Sequence, residues 1–335
     1  MPEAKPKKIV CLFGAGATYA ELSNLGLVET EKAQKERGLL MTSVSRRVIE
    51  KARRKPSYLK DLEMVSASLE SPTTLGSLNI ELLISLIENS KINGWEHKTR
   101  FLKKLVEEDI KGILTAPRIK RFYLHKALLE FHEHEITQAK EQVIALFSLN
   151  YDTVLDGAYK TVLEEDPNYC LCLKADDPSP ERLPLLKLHG SFNWNPVEIR
   201  GRKRTIGIIP LGSNKNYLHS PYGFIWSRAL EILIECDTLR VIGCSLSQND
   251  AHLVDLLFKA HLDKGAEFGI EIIASEESGE MIRANYGFFP RIKTLSNLNV
   301  EPNPSNPFKA WLRYKSEAMP EKILNKTRYL RKVRE

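Results

Sequence analysis

The sequence lacks several features that mark large classes of proteins. None of its apolar runs approaches the roughly 20 residues that a transmembrane helix needs. The first eight residues carry charge, but the apolar stretch and cleavage pattern of a signal peptide do not follow them. There is also no internal repeat and no low-complexity segment. We therefore expect a globular protein of the cytoplasm that has no contact with a membrane.

Cysteine is also scarce, with five among 335 residues. Cys170 and Cys172 are separated by one residue, and no second close pair exists to complete a four-thiolate zinc site. Cys11 and Cys244 fall in or at the end of predicted buried strands, where cysteine acts as a small hydrophobic residue. The sequence therefore predicts neither a disulfide framework nor a metal site, zinc included.

An excess of positive charge is confined to the C-terminal end. The formal net charge is +6, and residues 296–335 hold nine Lys or Arg against four acids. The rest of the chain is near neutral, which argues against a nucleic-acid surface along its whole length. The basic end has two interpretations, a solvated helix face or a contact with a partner or nucleic acid. Direct nucleic-acid binding therefore stays open.

The chain does have a short apolar run at residues 9–13, which ends at Gly14-Ala15-Gly16. In a strand–turn–helix unit, glycines let the backbone turn sharply and approach a phosphate, and the helix start supplies amide donors. Gly-x-Gly alone is weak, because the fully spaced dinucleotide pattern has a third glycine where this chain has Tyr19. For this stretch by itself, an ordinary strand-to-helix turn is an equal alternative.

Further short apolar runs alternate with helical segments later in the chain. Predicted strands lie at 142–149, 185–188, 205–210, 239–243 and 270–274. Predicted helices between them lie at 153–164, 222–234 and 251–262. Short apolar runs of this kind are typical of strands buried on both faces of a sheet. Their alternation with helices predicts an α/β fold. We expect a doubly wound, Rossmann-like parallel sheet.

The predicted domain organisation follows from the same pattern. Residues 20–140, approximately, contain helical periodicity without a defensible strand, which predicts a helical subdomain inserted after the first β–turn–α unit. The sheet domain with this insert would span residues 1–300. Pro302, Pro304 and Pro307 mark a linker to a basic tail at 301–335.

Polar motifs follow the ends of four predicted strands. They are Gly14-Ala15-Gly16, Asn150-Tyr151-Asp152, His189-Gly190-Ser191 and Gly243-Cys244-Ser245. Ligands of doubly wound sheets bind beyond the carboxyl ends of the strands, so we expect the four motifs to converge on one crevice. Each also has a plainer interpretation. Asn150 and Asp152 could be helix caps, His189 a core histidine, and Ser245 and Asp250 turn or cap residues.

Taken together and in this order, the motifs resemble the sirtuin family, and within it the sirtuin-like domains of prokaryotic antiphage defence systems. The resemblance rests on the glycine turn, on Leu149-Asn150-Tyr151-Asp152, and on residues 187–194 and 242–250. It implies NAD binding and cleavage of the bond between nicotinamide and ribose.

The resemblance also implies a role for each motif. Asn150, near the nicotinamide ribose, and His189 would be the catalytic residues, and Asp152 would recognise the nicotinamide carboxamide. The adenosine side would contact Gly243 and Ser245. The residues that would cradle the pyrophosphate are Gly14, Ala15, Gly16 and Thr18.

Three departures separate the chain from deacylating sirtuins. Leu149 stands where they carry glutamine, the segment after Thr18 lacks their Pro-Asp-Phe-Arg stretch, and their Cys-x-x-Cys zinc module is missing. That module supports the domain that helps form the acyl-lysine cleft, so water becomes the favoured acceptor. We expect an NAD glycohydrolase that takes NAD as substrate and releases nicotinamide and ADP-ribose. The alternatives are an NAD-dependent protein deacylase or ADP-ribosyltransferase, and a non-catalytic NAD-binding scaffold.

The same resemblance implies a biological setting. It predicts an antiphage effector that depletes NAD, assembles as a homo-oligomer and is held in check by a separately encoded partner. In this branch that partner is a HerA-like ATPase or a short Argonaute protein. The basic tail and the helical insert are the surfaces we expect to serve assembly or docking.

Overall fold

The computed structural model describes residues 5–54, 80–90, 94–114, 119–138, 140–177, 179–194, 197–199, 202–204, 208–209, 217, 220–247, 250–298 and 306–334. The chain divides into two compact units. Unit 1 consists of Met1–Leu25, Arg121–Gly207 and Leu218–Glu335, and unit 2 of Gly26–Lys120 and Ile208–Tyr217. Among the described residues, no helix has both the length and the apolar character that a bilayer crossing requires.

Unit 1 is built on a six-stranded sheet. In chain order the strands are β1 (Lys7–Phe13), β2 (Glu141–Ser148), β3 (Leu185–Lys187), β4 (Val197–Ile199), β5 (Arg202–Arg204), β6 (Thr238–Ile242), β7 (Gly269–Ile273) and β8 (Ile292–Lys293). The sheet has the order β3-β2-β1-β6-β7-β8, and all its ladders are parallel. The strands β4 and β5 form a separate antiparallel pair. A parallel sheet that starts at its centre and grows outward on both sides is doubly wound, which confirms the predicted fold class.

Helices connect and cover the strands. In chain order they are α1 (Ala15–Asn24), α2 (Glu31–Arg37), α3 (Met41–Arg53), α4 (Ile80–Ser90), α5 (Trp95–Ile113), α6 (Leu124–Thr137), α7 (Val154–Val162), α8 (Tyr222–Glu235), α9 (Ala251–Lys264), α10 (Glu276–Asn285), α11 (Pro307–Glu317), α12 (Glu321–Leu324) and α13 (Tyr329–Arg334). The helices α2 to α5 belong to unit 2, and the others belong to unit 1.

Burial on both faces explains why β1 is continuously apolar from Ile9 to Phe13. Ile9, Cys11 and Phe13 join a core cluster with residues of α6, α7, α11 and α13. The helix α8 packs against β1, β2 and β3. Successive side chains of a strand point to opposite faces, so a strand covered by helices on both sides needs apolar residues at every position.

The basic C-terminal segment is folded onto unit 1 wherever the structure describes it. Pro307 is the first residue of α11, and the side chain of Asn306 caps that helix by accepting from the Lys309 amide at 3.0 Å. Proline fits the first helical position because its missing N–H would have no partner there. The side chain of Glu130, on α6, accepts from the first amides of α13 at 2.8 to 3.0 Å. Pro307 thus begins a helix, whereas the predicted linker residues 301–305 lie outside the described residues.

Unit 2 contains α2 to α5 and holds a buried carboxylate. Asp109 on α5 accepts from Arg47 at 2.8 Å and from Lys51 at 2.7 Å, both on α3. The unit is narrower than the predicted insert of about 20–140, because α6 packs on β2 within unit 1. The predicted strand at 205–210 lies mostly outside the described residues, and β5 ends just before it.

Candidate functional site

The site lies where β1, β2, β3 and β6 end. All four are parallel, so their carboxyl ends meet at one edge of the sheet. The strand β1 pairs with β2 on one side and with β6 on the other, which makes the gap between the loops after β1 and β6 the topological switch point. Doubly wound sheets bind ligands in that crevice.

Three glycines let the loops after β1 and β6 touch backbone to backbone. A Cβ on Gly14 would lie 2.6 Å from Cys244 Cα, and one on Gly243 would lie 2.1 Å from the Ala17 nitrogen. Gly243 also has a φ of +57°, a conformation that favours glycine. The Gly16 amide donates to the Gly243 carbonyl at 2.7 Å. The glycines therefore join the two loops that border the switch point.

This packing also uses backbone amides that the strand–turn–helix pattern would offer to a phosphate. Besides Gly16, the Ala17 amide donates within the turn, to the Gly14 carbonyl at 3.0 Å. Ala15, by contrast, is exposed at the start of α1. For binding an anion, the turn therefore provides the positive end of the helix dipole and Ala15, the exposed first residue of α1.

Asn150 and Asp152 tie the loop after β2 to the same turn. The Asn150 amide donates to the Gly14 carbonyl at 2.9 Å and to Thr18 Oγ1 at 3.1 Å. Thr18 in turn donates to Asp152 Oδ2 at 2.9 Å, and Asp152 Oδ1 accepts from the Val154 amide at 2.9 Å. Since both hydrogens of the Asn150 amide are committed, a ligand contact by this side chain falls to its Oδ1 carbonyl.

A buried ion pair helps to hold the backbone of this loop in place. Lys187, at the end of β3, lies 3.2 Å from Asp156 Oδ2, and both side chains are buried. The same ammonium donates to the Asp152 carbonyl, and Asp156 also accepts from the Tyr169 hydroxyl at 2.5 Å. The lysine therefore fixes the backbone of the loop that carries Asn150 and Asp152. Nothing in the sequence around Lys187 indicates this role.

His189 follows β3 by two residues and lies near two aromatic rings. Its ring centroid lies 6.3 Å from those of Tyr151 and Trp226. Gly190, at a φ of +84°, turns the chain directly after it. Tyr151 is the residue after Asn150, so the histidine lies against the loop that carries the asparagine. Trp226 is held by its indole N–H, which donates to the Leu188 carbonyl at 2.9 Å.

Asp250 is a residue for which the sequence left a cap and a functional role equally open. Its Oδ2 lies 2.7 Å from His189 Nε2, and its Oδ1 accepts from the Leu253 amide at 3.4 Å as the N-cap of α9. The cap was one of those two interpretations, whereas the contact with His189 was not predicted. Ser245, on the loop that leads from β6 towards Asp250, is exposed.

The structure thus divides the nine residues predicted for the site into a network of six, a separate histidine and two exposed residues. One network joins Gly14, Gly16, Thr18, Asn150, Asp152 and Gly243. His189 instead pairs with Asp250, and Ala15 and Ser245 are exposed in their loops. In the described part of the chain, no three His, Cys, Asp or Glu side chains are arranged to hold a metal ion.

Comparisons with known proteins add a distant likeness in fold. No family model matches the chain, and no curated protein is found to be similar. One similar solved chain comes from work on the structural basis for the mechanism and regulation of Sir2 enzymes. It is 15% identical over 86% of each chain, with a TM-score of 0.33. The doubly wound fold is established by the strand order and the parallel ladders.

Proposed function

We propose that the protein is an NAD glycohydrolase, which uses water to cleave NAD into nicotinamide and ADP-ribose. The observation that supports it best is the convergence of four loops at the switch point, with His189 packed against the Asn150 loop. Doubly wound sheets bind dinucleotides there, with the pyrophosphate at the start of the first helix. The exposed Ala15 at the start of α1 fits that role.

The proposed reaction breaks the bond between the ribose C1′ and the nicotinamide nitrogen. The electron pair leaves with nicotinamide, whose positive charge is thereby neutralised, and the sugar acquires oxocarbenium character. A water oxygen forms the new bond to C1′, and its proton passes to His189 and then to solvent. A neutral imidazole can accept that proton at cytoplasmic pH.

Asn150 would contribute orientation rather than charge. Its amide hydrogens are held by Gly14 and Thr18, so the Oδ1 carbonyl is fixed in direction. In the proposed reaction that oxygen accepts from a ribose hydroxyl or from the attacking water. Holding a reactant in attack geometry removes part of the entropic barrier.

The wider setting that we propose rests on the sirtuin-like motif set. It is a cytoplasmic antiphage effector that depletes NAD as a homo-oligomer. A separately encoded regulator, a HerA-like ATPase or a short Argonaute protein, would control it. A toxic hydrolase has to be restrained until it is needed, which is why we expect such a regulator.

The test is chromatographic analysis of the products that the purified protein forms from NAD, alone and together with co-expressed proteins encoded by neighbouring genes. We expect nicotinamide and ADP-ribose without any acylated peptide or protein acceptor. His189→Ala should lower the rate by about 10²–10⁴-fold, the usual contribution of a general base, and Asn150→Ala should also strongly reduce it. His97→Ala, on the exposed side of α5, is the matched control. Turnover that requires an acylated peptide, or wild-type turnover by His189→Ala, would refute the proposal.

A further inference from the structure

The outer sides of α9 and α10 carry an exposed apolar surface. Of the eight large apolar side chains that the described residues leave exposed, four lie here, and they are 43% to 67% exposed. Phe258 and Leu262 are one turn apart on α9, and Met281 and the exposed Ala284 are three residues apart on α10. Phe288 follows α10 and packs on Phe258, with the ring centroids 5.6 Å apart. We call these five residues the apolar surface, and a concentration of this kind indicates an interaction site.

Acidic side chains border the apolar surface. The helices α9 and α10, which the structure describes throughout, expose five acids: Asp255, Asp263, Glu276, Glu277 and Glu280. Each Lys or Arg of these two helices is paired with a carboxylate: Lys259 with Asp255, Arg283 with Glu280, and Lys264 with Asp237. In the described part of the chain, no cation pairs with Asp263, Glu276 or Glu277. The apolar surface is therefore bordered by an excess of negative charge.

The C-terminal helices have the opposite imbalance. Residues 306–334 expose six bases against two acids. Both acids are paired, Glu317 with Arg313 at 3.2 Å and Glu321 with Arg334 at 2.9 Å. Four of the other exposed bases form what we call the basic surface: Lys322, Lys326, Arg328 and Lys332. Where the apolar surface has surplus acids, this segment has surplus bases.

The cations of the basic surface lie close enough to act on one another. Burial, together with the charges of Arg328 and Lys332, lowers the pKa of Lys126 on α6. Tyr314, on α11, is 40% exposed and adds an aromatic side chain to the same segment. Tyrosine and arginine are enriched in protein–protein interfaces. The C-terminal helices therefore offer both the charge and the side-chain types that suit the apolar surface.

The apolar surface and the basic surface lie on opposite faces of the sheet. The helix α7 leads from β2 to β3, whereas α9 leads from β6 to β7 and extends the sheet in the opposite direction. Because crossovers between parallel strands are right-handed, these two helices cover opposite faces. The helix α10 leads onward from β7 to β8 and shares the face of α9, whereas α11 and α13 share a buried cluster with α7. One molecule can therefore use both surfaces at the same time.

We propose that the apolar surface of one molecule binds the basic surface of a second copy of this chain. The proposal assigns surfaces to the homo-oligomer proposed above and rests on that part of the proposed function, but the NAD chemistry does not enter it. A second copy is the favoured occupant because the chain itself carries the complementary charge, and complementary charges align partners. Since the two surfaces differ, the contact is head-to-tail and can repeat until a ring closes or a filament grows.

The experiment measures the mass of the full-length protein in solution, by size-exclusion chromatography with light scattering and without NAD. The wild type should contain at least two chains. Leu262→Asp combined with Met281→Asp puts charge into the apolar surface, and Lys322→Glu combined with Lys326→Glu reverses the basic surface. Each double variant alone should be a monomer. An equimolar mixture of the two should form a complex of two chains and nothing larger, because each variant retains one intact surface.

Two matched variants test whether any surface change has the same effect. Leu173→Ser removes a side chain that is 51% exposed elsewhere in unit 1, and Lys104→Glu reverses an exposed charge on α5. Both should keep the wild-type mass, and circular dichroism should show that all variants are folded.

Three results would overturn the inference. They are a monomeric wild type, a double variant that keeps the wild-type mass, and a mixture that stays monomeric. A basic-surface variant that keeps the wild-type mass would indicate that the apolar surface pairs with itself, and a monomeric mixture would indicate a different partner. If the masses are as expected but NAD is not cleaved, the interface stands and the hydrolase function falls. If NAD is cleaved while the masses disagree, only the interface falls.

Discussion

His132 and His189 are both buried in unit 1, but they lie in different electrostatic surroundings. His132, on α6, has its Nε2 3.4 Å from the Arg240 guanidinium and 3.5 Å from Cys11 Sγ. Burial, together with the charges of Arg240 and Lys315, holds the pKa of His132 well below 6.5. His189 instead lies with its Nε2 2.7 Å from the Asp250 carboxylate. Of the two, only His189 lies at the carboxyl edge of the sheet, beside the loop that carries Asn150.

The region around Arg240 contains a cation that is buried within the sheet and paired with two carboxylates. Its guanidinium lies 2.8 Å from Glu271 and 3.0 Å from Glu141, and 5.0 Å from the centre of the Trp311 ring. Burial opposes the charge, but the two carboxylates outweigh it and hold the pKa of Arg240 above its ordinary value. This cluster joins β2, β6, β7 and α11, so its effect is on folding. His189 and Asp250 instead lie at the carboxyl edge of the sheet, where the loops after β3 and β6 meet.

The largest effect on stability should come from breaking the interior cluster. Arg240→Leu removes the guanidinium that pairs with the buried Glu271 and the partly buried Glu141, and the free energy of unfolding should fall by about 3–5 kcal/mol. Chemical denaturation measures it. Lys259→Ala removes an exposed partner of Asp255 on α9 and should change the same quantity by less than about 1 kcal/mol. Equal effects of the two substitutions would contradict the difference between interior and surface charge.

A second prediction concerns the glycine contact at the edge of the sheet. Gly243→Ala places a Cβ against the Ala17 nitrogen at a left-handed φ, so stability should fall by about 1–3 kcal/mol. NAD hydrolysis should fall with it, because the loops after β1 and β6 are forced apart. The matched control is Gly157→Ala within α7, where a Cβ meets nothing within 4 Å. In thermal denaturation, the free energy of unfolding of that variant should be higher than in the wild type by about 0.5–1 kcal/mol. A stable, fully active Gly243→Ala protein would exclude the close packing.

The smallest expected effect is the pH dependence that His132 contributes. The folded protein keeps this ring neutral, whereas the unfolded chain binds a proton below about pH 6.5. The unfolded state then holds more protons, so this group lowers stability as the pH falls below that value. The loss should reach about 1.4 kcal/mol per pH unit. His132→Gln should lack this contribution, and urea unfolding at pH 7.5, 6.5 and 5.5 should show the two proteins diverging only on the acidic side. Parallel pH profiles would contradict a neutral His132.

The sheet could be predicted because burial leaves a local signature. Strands covered on both faces are mostly apolar along their length, so β1, β2, β6 and β7 were predicted to within a residue or two. The parallel arrangement then placed the four motifs at one edge. The sequence of an amphipathic helix, by contrast, does not reveal the surface against which the helix packs. The helix α6 was therefore assigned to the insert, although it covers the sheet, and Pro307 was assigned to a linker, although it begins α11.

The candidate site was predictable by location but not by contact. The strand ends singled out Asn150, Asp152 and His189, since each comes directly after an apolar run. The contact between His189 and Asp250 joins two loops about 60 residues apart in sequence, and nothing local encodes it. Lys187 escaped notice for a similar reason, because a lysine within a short strand gives no hint that it is buried against Asp156.

The capping of α13 by Glu130 has a practical consequence for anyone who trims this chain. A deletion of α12 and α13 would expose the apolar side of α6, including its contacts with Leu330 and Val333, and leave Glu130 without its amide donors. Loss of activity in such a truncation would report damage to the sheet domain rather than the removal of a docking segment. Charge-reversal of exposed residues such as Lys322 and Lys326 is the gentler way to ask what the basic surface touches.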